Sequence, residues 1–279
     1  MLRPPLITLD AMAAAIPDAA HLALPPDNSL PPNALAMALV RRRARGLRLL
    51  GVPVSGFATD VLIGAGCVAE VETSAATLGE SGTAPCFARA VREGAIRVRD
   101  ATCPAIHTML QAAEKGVPFL PLRGVIGSDL VARRPDWRAV QNPMAADAPD
   151  PILLLPALSP EVAAFHAPMA DARGNVWVGR RRECATLAHA ARRTLVTVER
   201  VVDGDFLEDE RLAPGAVSAA YVEAVAPAPG GARPAGLLDE HGPDEARVAA
   251  YARAARTAEG FAAWLAEHVL APEREAVPA

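Results

Sequence analysis

The stretch from Ala34 to Val52 decides the fold. Ala34 to Arg45 carries a helical pattern, and Leu47-Arg48-Leu49-Leu50-Gly51-Val52 follows as an apolar run that reads as a buried strand ending at a glycine turn. The same order recurs along the chain. Val61-Leu62-Ile63-Gly64-Ala65-Gly66 reads as a second buried strand closed by glycines. Ile96-Arg97-Val98-Arg99, Ile152-Leu153-Leu154-Leu155, Val162-Ala163-Ala164-Phe165-His166 and Thr194-Leu195-Val196-Thr197-Val198 are further strands. Helical patterns lie between them at Pro85 to Glu93, Ile106 to Lys115 and Glu183 to Arg193. Strands alternating with helices of this length predict parallel βαβ units, and so an α/β fold with an open, mostly parallel sheet flanked by helices. Asp244 to Val269 reads as one or two helices packed on that body. Pro25-Pro26-Asp27-Asn28-Ser29-Leu30-Pro31-Pro32 can be neither helix nor central strand, because proline lacks the donor and fixes φ. Residues 133–151 read as an irregular surface excursion. No shift in composition marks a boundary, which predicts one domain over 1–270 and a disordered tail over 271–279.

Composition removes several classes of function. The 279 residues are 51% hydrophobic and 22% charged, with a net charge of −4. That balance gives no electrostatic footprint for nucleic acid. No run of about 18 apolar residues exists to span a bilayer, and Met1-Leu2-Arg3-Pro4-Pro5 does not begin a secretory signal, so a cytoplasmic protein is expected. Lys115 is the only lysine, and its surroundings exclude a phosphate-binding loop of the Walker type. Cys67, Cys86, Cys103 and Cys184 form no paired spacing, so neither a metal site nor a disulfide framework is expected.

A few short motifs bear on chemistry. Gly64-Ala65-Gly66-Cys67-Val68-Ala69 has the outline of a dinucleotide fingerprint, but the alternation of Val68 to Thr73 is strand-like where a helix would be needed. It reads as a strand-ending turn. Glu80, in Gly79-Glu80-Ser81-Gly82, has two readings: a carboxylate held by a glycine turn to act as nucleophile or base, or an acid favouring the nearby helix N-terminus. Cys103 and His107 sit near the start of a helix, where a thiolate could be activated, or where a buried cysteine could simply pack. Asp171-Ala172-Arg173-Gly174-Asn175 reads as a structural turn, with Asp171, Gly174 and Asn175 supplying caps and positive φ.

Taken in order, several segments resemble one family, the A halves of the class I (glutaconate-type) CoA-transferases. They are Leu35 to Arg41, Asp60 to Val68, Glu80 with Gly82, Pro85 and Phe87, then Ala90 to Gly94, and Pro118 to Gly124 with Gly127-Ser128-Asp129-Leu130. His166, Asp171, Gly174, Asn175, Thr197-Val198-Glu199 and Thr257 to Phe261 complete the set. The resemblance implies a CoA-transferase-like fold and the A half of a heteromeric acyl-CoA:carboxylate CoA-transferase. A separate B-type chain would carry the glutamate that attacks the acyl-CoA and forms an enzyme-bound thioester. Coenzyme A would enter as acyl-CoA substrate with a small carboxylate acceptor, and no metal is implied.

In the family a glycine-rich loop after the first strand supplies N–H donors to the oxyanion. Here Pro25 and Pro26 remove donors, leaving Asp27, Asn28 and Ser29; Asn28 and Ser29 are the expected replacements. Glu80, Ser81 and Gly82 are expected in the cleft facing the partner. Arg123, with Gly124, is expected either to pair with an anionic acyl group or CoA phosphate or to form a structural ion pair. A related branch, the ring-opening CoA-thioester hydrolases of steroid degradation, carries a catalytic glutamate on the A half where this chain has Cys103. The resemblance therefore leaves two further readings, one half of such a hydrolase or a non-catalytic CoA-ester binding chain.

Overall fold

The computed structural model describes residues 3–145 and 149–271. In chain order, α1 (Leu9–Ala14) leads to β1 (His21–Leu24), α2 (Asn33–Arg41), β2 (Leu47–Gly51), α3 (Phe57–Gly64), β3 (Val68–Thr73), α4 (Pro85–Glu93), β4 (Arg97–Asp100) and α5 (Cys103–Glu114). An excursion follows, made of β5 (Phe119–Leu122), α6 (Asp129–Arg133), β6 (Arg138–Gln141) and β7 (Pro151–Pro156). The chain then returns through β8 (Val162–Asp171), β9 (Val176–Trp177), α7 (Arg182–Ala190), β10 (Arg193–Val202), β11 (Ala216–Val217) and β12 (Ala224–Pro227). Two helices, α8 (Glu245–Ala254) and α9 (Ala258–Leu265), follow the last strand.

Nine strands form one sheet, parallel along β4-β3-β2-β1-β8-β10-β12, with β9 and β11 added antiparallel beside the second half of β8. The mostly parallel α/β sheet expected from the sequence is present. Strand order runs outward in both directions from β1 and β8, which pair through Leu22 and Val162. That junction is a topological switch point, where the loops leaving the two central strands diverge and open a crevice.

Successive residues of each strand face opposite sides. Leu22, Leu24, Leu47 and Leu49 pack with Met12, Leu39, Leu62, Tyr251 and Trp264 on one face. Ala23, Leu50 and Ala163 pack with Ile106, Met109, Leu110 and Leu187 on the other.

Three local readings are corrected. Val61-Leu62-Ile63-Gly64 is not a strand but the second half of α3. Every residue from Phe57 to Ile63 is buried, so the helix has no polar stripe to reveal its period. Gly64-Ala65-Gly66 accordingly ends a helix and turns into β3, with Gly66 at φ +72°, so it is not a strand-ending turn. Ile152 to Leu155 is a strand, β7, but it lies in a separate antiparallel sheet ordered β5-β7-β6.

Part of the stretch read as irregular surface excursion is also built into the body. Arg134 is only 2% exposed. Its guanidinium grips both oxygens of Asp136 at 3.0 and 2.8 Å, approaches Glu72 Oε1 at 2.9 Å and lies 4.2 Å over the Trp137 ring. The expected tail lies outside the described residues beyond Ala271.

Candidate active site

At the C-terminal ends of the central strands lies a cavity of about 470 Å³. The loop after β1 contributes Asp27, Asn28 and Leu30, and the start of α3 contributes Phe57. The turn after β3 contributes Leu78 to Ser81. Arg181, just before α7, and the segment from Ala235 into α8, with His241 and Glu245, complete the wall. A parallel sheet collects residues remote in sequence at this edge because every parallel strand delivers its following loop to the same side.

The floor is set by Asp27. Both of its carboxylate oxygens accept from the Phe57 N–H, at 3.0 and 2.9 Å, capping the first turn of α3. Gly56, the N-cap residue of that helix, offers no side-chain cap of its own, and a Cβ on it would collide with the Asp27 carboxylate. The missing side chain at 56 and the carboxylate at 27 therefore fit one another. Burial pushes the Asp27 carboxyl up to about 6; the Phe57 N–H pulls it back, and nearby Asp60 adds to the rise.

A raised carboxyl has a consequence for stability. The folded protein holds the Asp27 proton more tightly than the unfolded chain, whose carboxyl titrates near 3.8. The resulting stabilisation is fully present below pH 3.8 and is lost as pH rises through about 6. In Asp27→Asn the melting temperature is expected to fall less than in wild type between pH 4 and 6.5, the gap between the proteins becoming constant above pH 7. Parallel profiles for the two proteins would contradict this.

Behind the cavity a buried polar chain joins β8 and β10. His166, fully buried, meets Thr197 Oγ1 through Nδ1 at 2.8 Å and Glu199 Oε1 through Nε2 at 2.9 Å. Glu199 Oε2 also accepts from the Gly230 N–H at 2.7 Å. Burial alone would raise the Glu199 carboxyl, but the His166 and Gly230 bonds outweigh it and hold the group below its usual range. The ring of His166 leaves no room for a side chain at 231, where a Cβ would sit 2.6 Å from it. His241 Nε2, 4.0 Å from Glu199 Oε1, is buried without a hydrogen-bond partner among the described residues.

The structure brings together only some of the residues singled out in the sequence. Asn28, Glu80 and Ser81 line the cavity, Glu80 and Ser81 on a single 3₁₀ turn, Gly79–Ser81. Gly82 closes that turn at φ +87° without lining the cavity. Asn28 is exposed in the cavity wall, and neither its N–H nor its amide has a hydrogen-bond partner among the described residues.

Ser29 is turned away and is not available as an oxyanion donor. It is 1% exposed, its N–H closes a turn on the Pro26 carbonyl at 2.8 Å, and its hydroxyl donates to Glu183. Cys103 is exposed rather than buried, begins α5, and sits 3.1 Å from Ser74 Oγ, outside the cavity lining. Arg123 stands in β5's following loop with Gly124, outside that lining, and forms a two-pronged bond to Asp150 at 2.9 and 2.6 Å. Asp171 accepts from the N–H groups of Arg173, Asn175 and Phe206 and from the Asn175 amide, while Gly174 sits at φ +89°.

The ionisable cavity residues not singled out in the sequence are Asp27, as a side chain, and Arg181, His241 and Glu245. Arg181 has no ion-pair partner among the described residues. The described residues contain no group of three His, Cys, Asp or Glu that could hold a metal ion, and no helix long and apolar enough to cross a membrane.

No family model matches the chain. It is similar to the A-type half of the 3-oxoadipate CoA-transferase of Pseudomonas knackmussii, with 28% identity over 272 residues that cover 95% of this chain and 93% of that protein. It is also similar to the IpdA half of the cholesterol ring-cleaving hydrolase of Rhodococcus jostii, 31% identical over 198 residues covering 68% of this chain and 66% of the other. This chain belongs to the A-half family of the class I CoA-transferases.

A further relative, from Archaeoglobus fulgidus, is 31% identical over 237 residues; the match takes in 83% of this chain but 51% of that longer protein. Among solved structures, glutaconate CoA-transferase from Acidaminococcus fermentans superposes with a TM-score of 0.85 over 96% of this chain and 89% of that one, at 23% identity, and so shares the fold. The decarboxylase AibA/AibB superposes with a TM-score of 0.80 over 95% of this chain and 99% of its own, at 28% identity.

Proposed function

We propose that this A-family chain forms one half of a heteromeric acyl-CoA:carboxylate CoA-transferase, working in the cytoplasm with a separate B-type chain. The observation that carries this reading is the open cavity at the switch point, which gathers Asn28, Glu80 and Ser81 from separate loops. Coenzyme A enters as the acyl-CoA substrate, and the partner's glutamate is the nucleophile. A carboxylate is a weak nucleophile, so the cavity must favour the negative charge that develops on the acyl oxygen. The unpartnered N–H and amide of Asn28, in the cavity wall, support that role for Asn28, and Ser81 is the proposed donor to the substrate's carboxylate. The unpaired Arg181 raises the local positive potential.

The similarity to the IpdA protein supports a second reading, acceptor-independent thioester hydrolysis. It is the weaker one, because the residue at the position of that branch's glutamate is Cys103, on α5 and outside the cavity lining. A purely binding role for the chain would leave the uncovered cavity without turnover.

Intact-mass measurement of both chains after exposure to acyl-CoA alone tests the division of labour. A CoA adduct is expected on the partner and none on this chain. An adduct on this chain, at Glu80 in particular, would overturn the assignment, and free CoA without any adduct would favour hydrolysis.

A further inference from the structure

The run Arg180-Arg181-Arg182, between β9 and α7, divides between two cavities. Arg181 lines the main one, whereas Arg180 and Arg182 line a second, open pocket of about 510 Å³, and Leu238 stands in the wall of both. Arg211, from the loop between β10 and β11, lines the second pocket too, as does Trp177 of β9.

Positive charge is left unneutralised there. Among the described residues, none of the three guanidiniums pairs with a carboxylate. Arg182 donates through Nη1 to the Pro214 carbonyl at 2.6 Å, and the Arg180 and Arg211 side chains bond to nothing. Asp239 is the one acid in the lining, in a chain whose net charge is −4. By contrast Arg123, Arg173 and Arg200, also on the surface, each hold a carboxylate at 2.6 to 2.9 Å.

Two glycines form a floor against which the indole lies. The N–H groups of Val178 and Gly179 both donate to the Gly215 carbonyl, at 2.8 and 3.1 Å. The two backbones come so close that a Cβ at 215 would lie 2.8 Å from the Gly179 Cα. A Cβ at 179, itself at φ +57°, would lie 3.0 Å from both the Trp177 ring and Leu238.

Guanidinium forks match phosphate oxygens two at a time, and an indole is a surface on which a flat base stacks. A lone carboxylate or phosphate would fill a small part of the volume and leave the indole without a role. We infer that this pocket binds a nucleotide carrying two or more phosphates, held by Arg180, Arg182 and Arg211 with its base against Trp177. Two sources share that chemistry. One is the nucleotide end of acyl-CoA, which rests on the proposal that the main cavity receives the thioester; the other is a free nucleotide acting from beside that cavity. The wall shared at Leu238 and the arginine run make the two cavities continuous, as the first source requires.

The test titrates ADP calorimetrically into the complex with the partner chain, as wild type and as the double variant Arg180→Gln with Arg211→Gln. Neither side chain bonds to the described protein, so the double variant is expected to fold, which circular dichroism checks. Wild type is expected to bind ADP, more weakly as salt rises, and the double variant to bind it at least about tenfold more weakly. No binding to wild type, or equal binding by the two proteins, would overturn the inference. Two kinetic arms then identify the source. If the nucleotide belongs to acyl-CoA, ADP competes with acyl-CoA. The double variant then raises KM for acyl-CoA about tenfold but leaves KM for the acyl-pantetheine thioester, which lacks the nucleotide, unchanged. If the nucleotide is a free one, ADP binds without competing and KM for acyl-CoA does not move. Turnover of acyl-CoA with equal ADP binding by both proteins would overturn this inference and leave the CoA-ester reading intact. Loss of ADP binding in the variant of an enzyme that turns over no acyl-CoA would do the reverse.

Discussion

Arg134→Ala is expected to destabilise the protein by about 3–5 kcal/mol. The side chain is almost fully buried and pairs with Asp136 and Glu72 while donating to the Asp100 carbonyl at 3.0 Å. Removing it strands the Glu72 carboxylate, itself buried, against the sheet with no cation within bonding distance except Arg99 at 3.7 Å. The penalty comes from the orphaned charge more than from the lost bond. A double variant, Arg134→Met with Glu72→Leu, is therefore expected to recover a large part of the loss. Urea denaturation of the three proteins reads this directly, and a single-variant loss under about 1 kcal/mol would contradict the account.

Asp60→Ala is expected to cost a similar amount, about 3–5 kcal/mol. Asp60 sits in α3, fully buried, and accepts from the Phe87 N–H at 2.7 Å, the Cys86 N–H at 3.3 Å and the Tyr251 hydroxyl at 2.7 Å. One carboxylate thus caps α4 and ties α8 to α3. Burial raises this carboxyl, and its three donors only partly offset the rise. Tyr251→Phe removes one donor and leaves two, so about 1 kcal/mol is expected from it. If the two variants lost equal stability by denaturant titration, the shared-cap explanation would fail.

These two residues also show where sequence reasoning stops. Leu47 to Gly51 and Val162 to Asp171 are legible as strands because short apolar runs between helical patterns have few other uses in an α/β chain. The helix Pro85–Glu93 is legible from a proline at its start and Gly94 at its end, in the left-handed region at φ +67°. Helix α3 is not legible. It is buried on all sides, so Val61-Leu62-Ile63 carries the β-branched signature of a strand while its hydrogen bonds are helical. What marks its start lies about thirty residues upstream, in the carboxylate of Asp27.

The candidate site divides in the same way. Glu80 and Ser81 stand out in a local glycine turn, and the structure sets them in the cavity. Ser29 cannot be told from Asn28 by sequence, because whether a loop side chain faces out or in is decided by distant Glu183. Arg134 looks like surface in Arg133-Arg134-Pro135-Asp136, since its partner Glu72 lies far upstream in β3. Arg181 and His241 carry no local motif at all; only the convergence of loops at one edge of a parallel sheet brings them to Asp27.

Transfer by a two-chain enzyme needs a carboxylate acceptor, and that requirement can be read in a single assay. The chain is co-purified with its B-type partner, and acyl-CoA consumption is followed with and without a free carboxylate acceptor. Consumption is expected to require the acceptor, with a new CoA ester appearing in equal amount. Release of free CoA at the same rate without the acceptor would contradict it.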